Sequence, residues 1–122
     1  MGNTILISDS TGRVYMWDAI NDNIEQLYAT NLPLTDIAVN SNGIIFVSTE
    51  DSIFRLSTSN GSPTLLYKFD RTIVPDFLRS GANISGLDIR PDGQAAIVFD
   101  GLLWGYSVNL STGETTQIIA GN

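Results

Sequence analysis

The chain repeats itself. Ile5-Leu6-Ile7-Ser8-Asp9-Ser10-Thr11-Gly12-Arg13-Val14-Tyr15-Met16-Trp17-Asp18 lies over Ile44-Ile45-Phe46-Val47-Ser48-Thr49-Glu50-Asp51-Ser52-Ile53-Phe54-Arg55-Leu56-Ser57 at a shift of 39, and Leu27-Tyr28 then falls over Leu66-Tyr67. A third copy follows at a shift of 50, where Asp36 to Gly43 lies over Gly86 to Gly93 and Leu103-Trp104 takes the place of Ile53-Phe54. After a two-residue insertion Thr112-Gly113 matches Asn60-Gly61, and Ile118-Ile119 matches Leu66-Tyr67. A period near 40 residues is that of a stacked array, in which one unit cannot bury its own apolar face and needs a neighbour.

Each unit is made of short segments rich in Val, Ile, Phe, Tyr and Thr, separated by Asn-Gly, Asp-Gly, Asn-Asp or Thr-Gly turns. That pattern predicts a meander of antiparallel strands. Strand A is read at Leu34 to Val39 and Ile84 to Arg90, and strand B at Ile5 to Ser8, Ile44 to Thr49 and Gln94 to Phe99. Strand C is Val14 to Asp18, Ile53 to Leu56 and Leu103 to Val108, and strand D is Ile24 to Ala29, Thr64 to Phe69 and Thr115 to Ala120. The first unit starts at its B strand. The units run over about 1–33, 34–83 and 84–122, within one 122-residue segment. Only Val74 to Arg79 hints at a helical period.

The B strands are apolar at consecutive positions rather than alternating, as in Ala95-Ala96-Ile97-Val98-Phe99, which predicts sheets covered on both faces. In strand C the rings of Tyr15, Phe54 and Trp104 are matched, and so are Trp17, Leu56 and Tyr106 two residues on. Repetition at matched positions reads as packing between units rather than as a ligand cage.

Thr11-Gly12-Arg13-Val14-Tyr15-Met16-Trp17-Asp18 resembles the third strand of a WD40 blade, with its Trp-Asp ending, although Leu56-Ser57 and Tyr106-Ser107 stand there in the other units. Ile84 to Gly93, its following apolar strand and Asn109-Leu110-Ser111-Thr112-Gly113-Glu114 are similar to blades of the wider YVTN, NHL and lactonase-like propeller group. The resemblance implies an all-β propeller segment of three four-stranded blades, the first without its innermost strand. It carries fold and hardly any function. Lactonase-type propellers further imply a metal in the central channel, but the A strands offer only Asp36 and Asp88, at unmatched positions. No metal and no cofactor is expected.

Composition narrows the chemistry. With no cysteine and no histidine the chain has no thiol nucleophile, no Cys/His zinc site and no imidazole acid–base catalyst, so the expected role is a non-enzymatic binding or scaffold module, the alternatives being a metal-dependent lactonase-like hydrolase or a structural fragment of a longer propeller. A net charge of −7 repels polyanions and argues against nucleic acid. Asp18 to Glu25 is rich in oxygen ligands yet lacks the spacing of a calcium loop, and reads as a turn. Met1 to Ile7 is no signal peptide and no apolar run is long enough to span a bilayer, so a soluble chain without a membrane partner is expected, with the cytoplasm favoured.

One segment breaks the period. Asp70 to Asn83 is longer than its counterpart Thr30 to Pro33 by about ten residues, and long insertions in repeats are where binding surfaces arise. Loops joining strands D to A and B to C share one face of a propeller, which places Arg71, Asp76, Phe77 and Arg79 beside Glu50, Asp51 and Asp100 as the candidate surface for a protein or small ligand. Three blades are too few to close a ring, whereas two copies joined head to tail make six. A homodimer is therefore expected, through end faces carrying Ile5, Ile7 and Tyr15 on one side and Ile97, Phe99 and Trp104 on the other.

Overall fold

The computed structural model describes residues 4–56, 63–73, 75, 77, 82–99 and 105–119. Three antiparallel sheets follow one another along the chain. The first contains β1 (Thr4–Ser8), β2 (Arg13–Asp18) and β3 (Asn23–Ala29). The second contains β4 (Asp36–Val39), β5 (Ile45–Ser48), β6 (Ser52–Leu56) and β7 (Pro63–Lys68). The third contains β8 (Ile84–Ile89), β9 (Gln94–Phe99), β10 (Gly105–Asn109) and β11 (Thr115–Ile119). Within each sheet neighbours in sequence are neighbours in space, so every sheet is a meander. A 3₁₀ turn at Arg71–Ile73 is the helical element among the described residues, and most of the expected Val74 to Arg79 turn lies outside them.

The sheets stack face to face, which is why the B strands are apolar throughout. Val47 points into a core shared with the first sheet, formed with Val14, Tyr28, Leu34, Ile45 and Leu56. Its neighbour Phe46 points the other way, into a core with Ile84, Leu87, Ala95, Ile97 and Tyr106 of the third sheet. The two seams thus use alternate residues of one strand, as the pleat requires. Phe69, Phe99 and Tyr106 meet at centroid distances of 4.8 to 5.8 Å in tilted and edge-on contacts at one end of the second seam.

Strands C and D are joined in all three sheets with the same irregularity. The register slips between Val14 and Tyr15, between Ile53 and Phe54, and between Gly105 and Tyr106, leaving Leu27, Leu66 and Ile118 as the extra residue opposite. A bulge turns two consecutive side chains toward one side. Leu27 with Tyr28, and Leu66 with Tyr67, accordingly enter the same core in pairs, which explains why the repeat keeps two adjacent large residues there.

Strand pairing corrects the repeat alignment at two places. Ile5 pairs with Trp17 and Leu6 with Met16, so β1 matches β5 at a shift of 40, one residue from the ungapped alignment. The B-to-C loop of the first sheet holds the extra residue, and a one-residue slip exchanges the faces of a strand. In the third sheet Tyr106 pairs with Ile97 as Phe54 pairs with Val47, which makes Tyr106 the counterpart of Phe54 and Tyr15. The two-residue insertion therefore precedes β10 instead of following it. Trp104, expected at that place, lies outside the described residues.

Candidate functional site

The loop surface is organised by Asp51. Its Oδ1 accepts the Ser52 hydroxyl at 2.8 Å and the Thr49 hydroxyl at 3.4 Å, while Oδ2 stands 3.7 Å from Nη1 of Arg71. Arg71 also donates from Nη2 to Oδ1 of Asn83 at 2.7 Å, tying both ends of the long D-to-A connection to the B-to-C loop of the second sheet. The backbone repeats the tie: Phe69 N–H donates to the Asp51 carbonyl, and Ile84 N–H to the Glu50 carbonyl. The Asp51 carboxyl is held below its ordinary value by the Ser52 hydroxyl first, then by the positive charges of Lys68 and Arg71, against the opposing effect of burial. Asp51 is therefore a charged anchor near neutral pH.

Of the seven residues expected here, the structure brings Arg71 and Asp51 together and places Glu50 beside them on the same loop. Phe77 is 81% exposed, a large ring offered to solvent. Asp76, Arg79 and Asp100 lie outside the described residues. Asn83 is the member that sequence reasoning missed, because its position at the end of the insertion gives no sign that it receives Arg71. Among the described residues no three carboxylates gather into a cation site.

The end faces differ from each other. On the first sheet, Ile5, Ile7, Tyr15 and Trp17 form a cross-strand patch on the face turned away from the second sheet, with Ile5 48% and Ile7 41% exposed. Of their counterparts in the second sheet, Ile45, Val47 and Leu56 are buried and Phe54 is half-buried, while Ala95, Ile97, Tyr106 and Val108 in the third are buried. The third sheet corrects the sequence expectation: Ile97 and Phe99 point inward to the seam, and its outer face carries Asp88, Ala96, Val98 and Ser107. Large side chains occupy one end, whereas among the described residues the other mixes small or polar ones with the exposed Val98 and, at the bulge, Ile118.

A groove of about 530 Å³ opens between the first and second sheets, lined by Leu6, Met16 and Leu27 on one side and Ile37, Val39 and Ile45 on the other. It lies beside β1, one of the two edge strands of the first sheet among the described residues.

No protein-family model matches the chain, and no curated protein matches it. Solved structures do, as fold. Hydrazine synthase of Kuenenia stuttgartiensis superposes with a TM-score of 0.66 at 20% identity, over 98% of this chain and 34% of that one. Virginiamycin B lyase of Staphylococcus aureus gives 0.60 at 17% identity, over 97% and 38%. The β-propeller domain of Cps50 (Swd1) from Myceliophteria thermophila gives 0.59 at 13% identity, over 97% and 35%. The chain is a run of propeller blades, and it spans little more than a third of the length of each of these proteins.

Proposed function

We propose that this chain is a non-enzymatic binding or scaffold module that joins a second copy head to tail into a six-bladed ring and offers the Asp51–Arg71 loop face to a protein or small ligand. The observation that carries this reading is the contrast at matched positions. Ile5 and Ile7 are exposed, with half-buried Tyr15 and Trp17 beside them, where Ile45 and Val47 of the second blade and Ala95 and Ile97 of the third are buried. An apolar blade face of that kind is an interaction surface. The small residues Ala96 and Ser107 on the far end leave room for its large ones.

The non-enzymatic part rests on composition, since acid–base work near neutral pH without histidine or cysteine falls to carboxylates, lysine and tyrosine. Light scattering of the chain at micromolar concentration is the test, with a dimer expected. A folded monomer rejects the ring. Turnover of a lactone or ester in the presence of divalent cations, lost in Asp36→Asn, rejects the non-enzymatic role.

A further inference from the structure

We propose that the edge of β1 that has no partner strand among the described residues, with the groove beside it, binds an extended peptide strand from another polypeptide, which pairs antiparallel with β1 and takes the place that β4 and β8 hold in the other two blades.

The edge is chemically ready for pairing. Asp9 N–H donates to the Arg13 carbonyl, so alternate residues back from Asp9, namely Ile7 and Ile5, direct their backbone groups toward β2. Thr4, Leu6 and Ser8 then direct theirs outward. The second sheet shows how such groups are used. Asn40 N–H donates to the Ile44 carbonyl, which fixes Phe46 and Ser48 as the residues of β5 bonded to β4. Leu6 and Ser8 are the counterparts of Phe46 and Ser48 at the shift of 40 and have no strand to bond among the described residues.

The groove gives the site its specificity. It continues the existing seam, because Leu6, Leu27 and Ile37 both line it and pack on the core between the first two sheets. An incoming strand facing Ser8, Ile7, Leu6 and Ile5 sets its first and third side chains toward the second sheet. In β4 those two places hold Asp36 and Ala38. The third residue meets Ile37 and Val39, as Ala38 packs on the core of the third sheet, so a small apolar residue fits there. The second and fourth residues join Ile7 and Ile5 on the outer face, where apolar side chains fit. The ligand is thus a short strand with apolar alternate residues and a small third one, held by main-chain bonds and selected by its side chains.

The probe is a labelled peptide of this chain's own residues 33–43, which carries that pattern, titrated onto the full chain and read by fluorescence anisotropy. Saturable binding is expected, and a scrambled peptide of the same composition should not bind. Ser8→Pro removes an outward N–H, a change that edge strands tolerate, and should weaken binding by about tenfold or more. Val39→Asp alters a side chain that is 47% exposed, so it leaves the fold standing by circular dichroism while abolishing binding. Val98→Asp on the far end should change nothing. Binding that both Ser8→Pro and Val39→Asp leave intact overturns the proposal, as does absence of binding to a folded chain. So does a dimer that Ser8→Pro dissociates, because the edge is then taken by a second β1. The site does not depend on the ring, whose junction uses the face of Ile5 and Trp17, so either idea can fail alone.

Discussion

The Asp36 carboxylate on β4 accepts the Leu87 N–H of β8 at 2.8 Å, across the seam between two sheets, while its other oxygen accepts the N–H of Ile37 at 2.8 Å. An innermost strand has an open edge by construction, and here a neighbouring side chain satisfies part of it. Asp36→Ala leaves the Leu87 donor unpaired where little water reaches, which should cost about 1–3 kcal/mol in a denaturant titration. Asp36→Asn keeps an acceptor and should cost less. Equal losses for the two would mean that charge, rather than the bond, matters.

Gly12 has a φ of +96°, and a Cβ placed on it would sit 2.6 Å from the Leu32 backbone nitrogen and 2.7 Å from the Thr30 hydroxyl. Thr30 closes on this turn through both its N–H and its hydroxyl, each donating to the Gly12 carbonyl. The turn therefore packs against the linker that leads into the second blade. Gly12→Ala should lower stability by about 1–3 kcal/mol, combining left-handed backbone strain with displacement of that linker. Thermal unfolding measures it.

Burial pushes the Tyr67 hydroxyl up to about 12, with the charge of Asp70 and the neighbouring Tyr106 adding to it. An unfolded tyrosine titrates near 10, so above that pH the unfolded chain loses a proton that the folded chain keeps. Stability is full below about pH 10 and falls as pH rises toward 12, by roughly 2 kcal/mol in all from this group. Tyr106 is raised in the same direction by burial. Tyr67→Phe should flatten the alkaline limb of stability against pH, and a spectrophotometric titration should show one late-ionising tyrosine fewer.

The order of strands and their limits were legible because period, turn residues and β-branched runs agree. β9 spans Gln94–Phe99 as read, and the other described strands shift by a residue or two at their ends. Faces were harder. Ile5-Leu6-Ile7 is apolar at every position, so its pattern alone does not distinguish the residue that faces a neighbour from the one that does not; Ile5 and Ile7 stand on the outer face as expected, but a single extra loop residue shifted the alignment so that Leu6, rather than Ile5, fell over Ile45. The same ambiguity put Ile97 and Phe99 on the wrong side of β9. At the loop face, charge and insertion length pointed to Arg71 and Asp51, whereas the Asn83 contact depends on the path of the connection. The first blade was read without its innermost strand, and among the described residues it has three strands; the groove was not read because its walls are side chains of two sheets whose facing depends on the register.

The last prediction separates head-to-tail assembly from every other dimer. Ile5→Asp with Ile7→Asp places two carboxylates on the apolar face of the first blade. These are exposed positions, so the fold should survive at a cost within about 1 kcal/mol, and the dimer should become a monomer. Ala96→Trp fills the recess on the outer face of the third blade and should also give a monomer, although it touches a different end of the molecule. A dimer formed through two copies of the Ile5 face would ignore the tryptophan entirely. In a head-to-tail junction each variant spoils one end and keeps the other, so mixing the two monomers restores one intact junction and yields a heterodimer with one open end. Size-exclusion chromatography with light scattering reads all four samples. The wild-type melting temperature should rise with protein concentration, and that of either variant should not. If the mixed variants stay monomeric while each is folded, the two faces do not recognise each other and the ring is wrong.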